Sequence, residues 1–151
     1  MIPISIAEII DVTGADVIQE SEDDLCISRI ETDSRHILFP EKTIFFALDG
    51  QYTQGHHFIP ALSKKGVRVF VTHADAIPKV SGYVLKVNNT LLALQILAMH
   101  YRKKFSIPVI GITGSNGKTI VKEWLTQLLQ GDFKVCKSPK SYNSQLGVAL
   151  S

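Results

Sequence analysis

Apolar and polar positions follow two rhythms along this chain, and each rhythm marks out its own set of elements. Mostly apolar runs of five or six residues occur at 43–48, 67–71 and 83–87, and a mixed run, Ile-Ser-Arg-Ile-Glu-Thr, at 27–32. Runs of this kind, rich in Val, Ile and Phe and bounded by turn residues, predict strands. The run at 43–48 is nearly all apolar, which predicts a central strand covered on both faces. A period near 3.6 replaces this pattern at 90–105, where Leu91, Leu94, Leu97, Ala98 and Tyr101 lie on or near one stripe. The same period returns at 118–129, with Val121, Trp124, Leu125, Leu128 and Leu129 on one face and core packing the expected role of Trp124. Ser5-Ile-Ala-Glu8 has the form of a capping box, Ile4 and Ile9 are placed as a staple, and Gly14 suits the end of the helix that follows. A further helix is predicted over 58–65, ending at Gly66.

Strand, helix and strand in alternation predict an α/β fold. Residues 1–84 read as a small N-terminal domain, 85–105 as a connecting helix, and 106–151 as the start of a second α/β domain. That second part offers strands at 107–112 and 133–137, the helix at 118–129, and a helix start near Gln145. So few elements cannot cover both faces of an open parallel sheet. The expectation is a truncated piece of a longer protein.

Composition narrows the class. The 151 residues are 45% hydrophobic and 20% charged, an ordinary globular balance. A formal net charge of +2 with scattered Lys and Arg argues against nucleic acid. The run Arg102-Lys-Lys104 closes a predicted helix and suits its dipole. Cys26 and Cys136 stand far apart with no metal spacing, which suggests a reduced, cytoplasmic protein. The first residues lack the basic leader and apolar core of a signal peptide, and the apolar stretch at 91–99 is too short to span a bilayer.

The chemistry concentrates in Gly111-Ile-Thr-Gly-Ser-Asn-Gly-Lys-Thr119. A predicted strand leads into it and a predicted helix leaves it, an order that gathers backbone N–H groups and a helix N-terminus around an anion. Gly114 and Gly117 let the backbone curl, Lys118 can reach the β- and γ-phosphates, and the Thr119 hydroxyl can ligate Mg²⁺. The general P-loop pattern is incomplete, because Ile112 stands where its first glycine belongs. The bland alternative is a glycine-rich turn with a solvated lysine.

Three segments together resemble the Mur ligase family, the ATP-dependent amide-forming enzymes of peptidoglycan precursor synthesis. Residues 112–119 look like that family's phosphate loop, which also lacks the first glycine. Thr32-Asp-Ser-Arg35, Ile44-Phe-Phe-Ala-Leu-Asp-Gly50 and Gly55-His-His-Phe-Ile59 are similar, in that order, to its UDP-binding domain. Lys122-Glu123 and Ser141-Tyr-Asn-Ser-Gln-Leu-Gly147 look most like the member that adds D-alanyl-D-alanine, though Ser141, Ser144 and Gln145 depart from its usual pattern. Ile120-Val121 likewise replaces the usual threonines.

The resemblance implies an ATP- and Mg-dependent ligase acting on UDP-N-acetylmuramoyl-tripeptide and D-alanyl-D-alanine. Thr113, Gly114, Ser115, Asn116, Gly117, Lys118 and Thr119 would hold ATP, with Lys118 catalytic and Thr119 on the metal. Asp33, Ser34, Arg35, His56 and Asn143 would bind substrate. Each has a plainer role: an Asx-type turn at Asp33, a ligand-free loop histidine at 56, a turn cap at Asn143, a solvated or salt-bridged position for Glu123. In extended backbone His56 and His57 would point opposite ways and chelate one metal poorly. Three alternatives stay open: another ligase of the series that adds the third residue, a non-catalytic UDP-muramoyl-peptide binding module, and a small NTPase switch. The UDP-domain segments argue against a polyglutamate-type relative.

Overall fold

The computed structural model describes residues 2–21, 25–139 and 144–150. The chain divides into two compact units, Met1–His100 and Tyr101–Ser151. In the first unit Ser5 closes a two-residue strand, β1 (Ile4–Ser5), and caps α1 (Ile6–Thr13), its hydroxyl accepting the Glu8 N–H at 3.2 Å. Ile4 and Ile9 are both buried. Gly14 ends the helix at φ 62°, its N–H donating to the Ile10 carbonyl, a left-handed cap that glycine adopts without a Cβ penalty. β2 (Asp16–Gln19), β3 (Cys26–Ile27), β4 (Arg29–Glu31), β5 (Thr43–Phe46), β6 (Val69–Thr72) and β7 (Tyr83–Lys86) follow, with α2 (Ile59–Lys64) between β5 and β6 and α3 (Thr90–Lys103) after β7.

The main sheet runs β2-β7-β6-β5-β4. β4 to β7 are mutually parallel, and β2 joins β7 antiparallel. All four residues of β5 and of β6 are buried, as an unbroken apolar run requires of a strand covered on both faces. On one face Phe45, Ala47, Phe70 and Val84 meet Ile59 and Leu62 of α2 and Val67, with Ile37, Ile77 and Val80 from the crossover loops packed against them. By alternation Ile44, Phe46, Val69, Val71 and Leu85 point the other way. They too are fully buried. The remaining buried apolar side chains are supplied mainly by α1 (Ile6, Ile9) and α3 (Ala93, Leu94, Leu97). His100 of α3 bonds Glu8 of α1 at 2.8 Å.

Some predicted elements differ. The run at 27–32 is divided: β3 pairs with β1, β4 pairs with β5, and between them Ser28 N–H donates to the Lys42 carbonyl at 3.0 Å. β2 carries no burial pattern for sequence reasoning to catch, since Val17 and Ile18 are 41% and 40% exposed on an edge.

The second unit contains α4 (Lys118–Leu129), with the predicted bounds, and α5 (Gln145–Ala149). The strands predicted at 107–112 and 133–137 are not formed. Ile107, Val109 and Ile110 are 56%, 69% and 61% exposed. A parallel strand takes its hydrogen bonds from its neighbours, and among the described residues of this unit none pairs with these segments. Arg102 instead donates to the carbonyls of Phe105 and Ile107, both at 2.6 Å. Core packing of Trp124 is likewise not found: Trp124 and Leu128 are 64% and 75% exposed, and α4 has no buried residue.

Candidate functional site

The turn before α4 owes its shape to two glycines. Gly114 sits at φ 142° and Gly117 at φ 76°, both in the region that side chains disfavour. Gly117, which has no side chain, caps α4, and the first-turn N–H groups that follow it are of the kind that give a helix start its affinity for anions. Lys118, the first helical residue, folds back across the turn. Its Nζ donates to the Gly114 carbonyl and lies 3.4 Å from that of Ser115. The ammonium is therefore held over the loop Thr113–Thr119 rather than turned out along the helix. Thr113, Ser115, Asn116 and Thr119 are exposed around it. Among the described residues, no group of three or more His, Cys, Asp or Glu is placed to hold a metal.

Glu123, one turn on, is held by the Lys137 ammonium and lies 3.5 Å from that of Lys122. The Lys137 bond first, then Lys122, keeps its carboxyl below the ordinary value. This is the salt-bridged role weighed from the sequence. Asn143 lies outside the described residues.

In the first unit the candidates leave the carboxyl ends of adjacent parallel strands, the edge where open α/β sheets receive ligands. After β4, Asp33 Oδ1 accepts the Arg35 N–H at 2.9 Å, an Asx-type turn. The Arg35 guanidinium doubles back on the same carboxylate, Nη2 to Oδ2 at 2.6 Å and Nε to Oδ1 at 2.9 Å. Those bonds hold the Asp33 carboxyl well below the usual carboxylate range and raise Arg35 in turn. Arg35 remains 81% exposed in its side chain, and Ser34 is half-buried beside it. Asp33 and Arg35 thus occupy each other while the guanidinium faces solvent.

After β5 the chain turns through 47–58 and lines an open cavity of about 660 Å³ with Asp49, Gly50, Gln51, Tyr52, Thr53, Gln54, His57 and Phe58. Residues Gly55–Phe58 form a 3₁₀ turn rather than extended backbone. The two histidine rings consequently meet edge to face, 4.4 Å between centroids, instead of diverging. His57 faces the cavity, whereas His56 Nδ1 is buried with no hydrogen-bond partner, an arrangement that is uncommon for a buried polar atom. Sequence reasoning passed over Asp49, whose Oδ1 accepts the Gly55 N–H at 3.0 Å. The signal was present in the paired Gly50 and Gly55 that bracket the loop.

The profile described as "Mur ligase family, catalytic domain" matches residues 26–113. The UDP-N-acetylmuramoyl-tripeptide–D-alanyl-D-alanine ligase of Synechocystis is 36% identical over 83% of this chain and 28% of its own length. A UDP-N-acetylmuramoyl-L-alanyl-D-glutamate–2,6-diaminopimelate ligase of Chromobacterium violaceum is 35% identical over 68% of this chain and 22% of its own. Among solved structures, MurF from Acinetobacter baumannii superposes with a TM-score of 0.88 at 28% identity, covering 98% of this chain and 32% of that one. MurF from Thermotoga maritima in complex with ADP gives 0.72 at 30% identity, covering 81% and 28%. The chain therefore spans less than a third of the length of these relatives. With more than half of its residues inside the family profile, the chain belongs to the Mur ligase family.

Proposed function

We propose that this chain is the substrate- and nucleotide-binding portion of an ATP-dependent ligase that joins D-alanyl-D-alanine to UDP-N-acetylmuramoyl-tripeptide in the cytoplasm. Residues 1–84 form the UDP-muramoyl-peptide domain, 85–105 the connector, and 106–151 the beginning of the ATP-binding domain. ATP phosphorylates the peptide carboxylate, releasing ADP. The amine of D-alanyl-D-alanine then attacks the acyl phosphate, losing a proton as the amide forms and phosphate departs. The protein's part is positioning and neutralisation of charge.

The observation that carries this reading is Lys118 folded over a loop held open by two left-handed glycines. That donor set suits a triphosphate: N–H groups at a helix start, one ammonium folded over the loop, and Thr119 beside it as the candidate Mg²⁺ ligand. Thr113 to Asn116 would line the phosphates. ATP with Mg²⁺ supplies the leaving phosphoryl group. In the first unit Arg35 offers a guanidinium fork to diphosphate oxygens, Asp33 orients that fork, Ser34 donates a hydrogen bond, and His56 backs the cavity-facing His57 ring edge to face. Asn143 completes the proposed substrate set. The cavity lined by 49–54, His57 and Phe58 takes the uridine diphosphate end. No described helix is long and apolar enough to cross a membrane.

The diaminopimelate-adding relative favours a second reading, in which the third residue is the one added. Product formation by the full-length enzyme, with D-alanyl-D-alanine or diaminopimelate as the amine and the matching UDP-muramoyl peptide as acceptor, separates the two. The first reading requires amide formation only with D-alanyl-D-alanine. Residues 1–151 by themselves are expected to bind UDP-muramoyl peptide in calorimetry and to form no product. Turnover by this piece would contradict the assignment of roles.

A further inference from the structure

His73 stands directly after β6, at the carboxyl edge of the sheet, between two groups from different elements. Its Nε2 lies 3.3 Å from Asp49 Oδ2, and its Nδ1 lies 3.3 Å from Thr90 Oγ1 in the first turn of α3. Asp49 uses its other oxygen, Oδ1, to accept the Gly55 N–H at 3.0 Å. A chain of polar contacts thus runs from the cavity loop, through one imidazole, to the helix that leads out of the first unit.

The chemistry of the partners fixes the ring. A carboxylate only accepts, whereas a hydroxyl can donate or accept, so of the two neutral tautomers the one protonated at Nε2 suits both neighbours. The anchor at the far end is firm, for Thr90 is buried and Asn89 caps α3, its Oδ1 accepting the Leu92 N–H at 2.9 Å. The near end is where cavity geometry is set. Gly55 is buried against the backbone of Ala47 and Leu48, and Gly50 N–H donates to the Thr53 carbonyl at 2.8 Å. A free carboxylate at Asp49 could rotate among solvent-facing positions. One with Oδ1 on the Gly55 N–H and Oδ2 3.3 Å from the His73 ring has fewer positions open to it, which steadies the loop.

We propose that His73 is a positioning residue: through Asp49 it fixes the cavity loop 49–58 to the start of α3, and so sets affinity for the diphosphate end of the substrate. The affinity part rests on the proposed function; the tie between loop and helix does not. The experiment uses the chain 1–151, labelled with ¹⁵N, at about pH 8, where an ordinary histidine is neutral. The His73 ring is expected to show a protonated Nε2 and a bare Nδ1. Thr90→Val, nearly isosteric, should move the Nδ1 resonance. Asp49→Asn, which keeps an acceptor for Gly55 but offers the ring a donor, should switch the tautomer. His73→Ala should speed exchange of the Gly55 amide about threefold to tenfold, the scale of one hydrogen bond, and weaken calorimetric binding of uridine diphosphate by a similar factor. Unchanged ring resonances in both partner variants, or unchanged Gly55 exchange in a folded His73→Ala, would overturn the tie. Should His73→Ala fail to fold, the ring resonances of the other two variants decide. A wild-type chain that holds the tautomer and the Gly55 protection but ignores uridine diphosphate would sink the proposed ligand instead.

Discussion

Replacing Gly55 by alanine asks whether backbone proximity fixes the cavity loop. Gly55 needs no left-handed conformation, so chain freedom is not what the glycine supplies. A Cβ there would stand 2.4 Å from the Leu48 carbonyl oxygen, 2.5 Å from the Ala47 carbonyl carbon and 2.6 Å from the Leu48 nitrogen. None of these is a side chain that can swing aside. They continue β5, and Ala47 N–H is itself bonded to the Val71 carbonyl at 2.8 Å, so the loop must move rather than the strand. Overpacking of this kind costs ~1–3 kcal/mol. Loss of the Gly55 bond to the Asp49 carboxylate adds ~1.5–3 kcal/mol if it is complete. Partial relief of each leaves about 3 kcal/mol.

Gly14→Ala is the matched control. It sits at φ 62° with nothing within 4 Å of the new Cβ, so only left-handed strain of ~1–2 kcal/mol applies. With a urea slope of ~1.5 kcal/mol/M for a small unit, the midpoint should fall by about 2 M for Gly55→Ala and by about 0.7–1.3 M for Gly14→Ala. Far-UV circular dichroism is the right probe, because the single tryptophan, Trp124, belongs to the other unit. A Gly55→Ala midpoint no lower than that of Gly14→Ala would refute the steric argument.

Leu94→Ala should cost ~2–5 kcal/mol in the same assay, since Leu94 is fully buried. Leu92→Ala, on the 52% exposed side of α3, should stay within ~0.5 kcal/mol, and equal effects would mean the helix is misoriented. Asp33 should titrate well below the usual carboxylate range because Arg35 holds its charged form. Its folded value is lowered, so the turn's contribution is complete above about pH 4 and is lost only as pH falls through that lowered value. Arg35→Gln should return the midpoint towards ~3.9 by ¹³C titration; an ordinary midpoint in the parent chain would refute the ion pair. In the full-length enzyme, Lys118→Ala should lower turnover by ~10²-fold or more, and near-parental turnover would remove Lys118 from the mechanism.

How much of this was legible from residue order depended on where burial was supplied. β5, β6 and β7 were readable because their apolar runs reflect cover on both faces within the unit. The start of α1 was readable because Ser5, Ile4 and Ile9 act within a few residues of one another. β2 was not, since an exposed edge leaves Val17 and Ile18 no pattern to obey. The apolar runs at 107–112 and 133–137 misled for the opposite reason: their sequence suits a sheet interior, but no neighbouring strand in the described residues completes it. At the candidate sites, residue identity located the Gly114–Lys118 turn and the Asp33–Arg35 pair. It could not reveal that Gly55–Phe58 would wind into a turn and bring two rings together, or that Asp49 and His73 would meet across adjacent strands. Such meetings depend on strand registry, which no local pattern records.

The common direction of β4, β5, β6 and β7 has a consequence for how such a domain can diversify. All loops leaving their carboxyl ends gather on one rim, while the strand interiors behind them are sealed in apolar contact. Specificity can therefore drift by exchanging rim residues one at a time, with the barrier to each change set by a few polar ties rather than by the core.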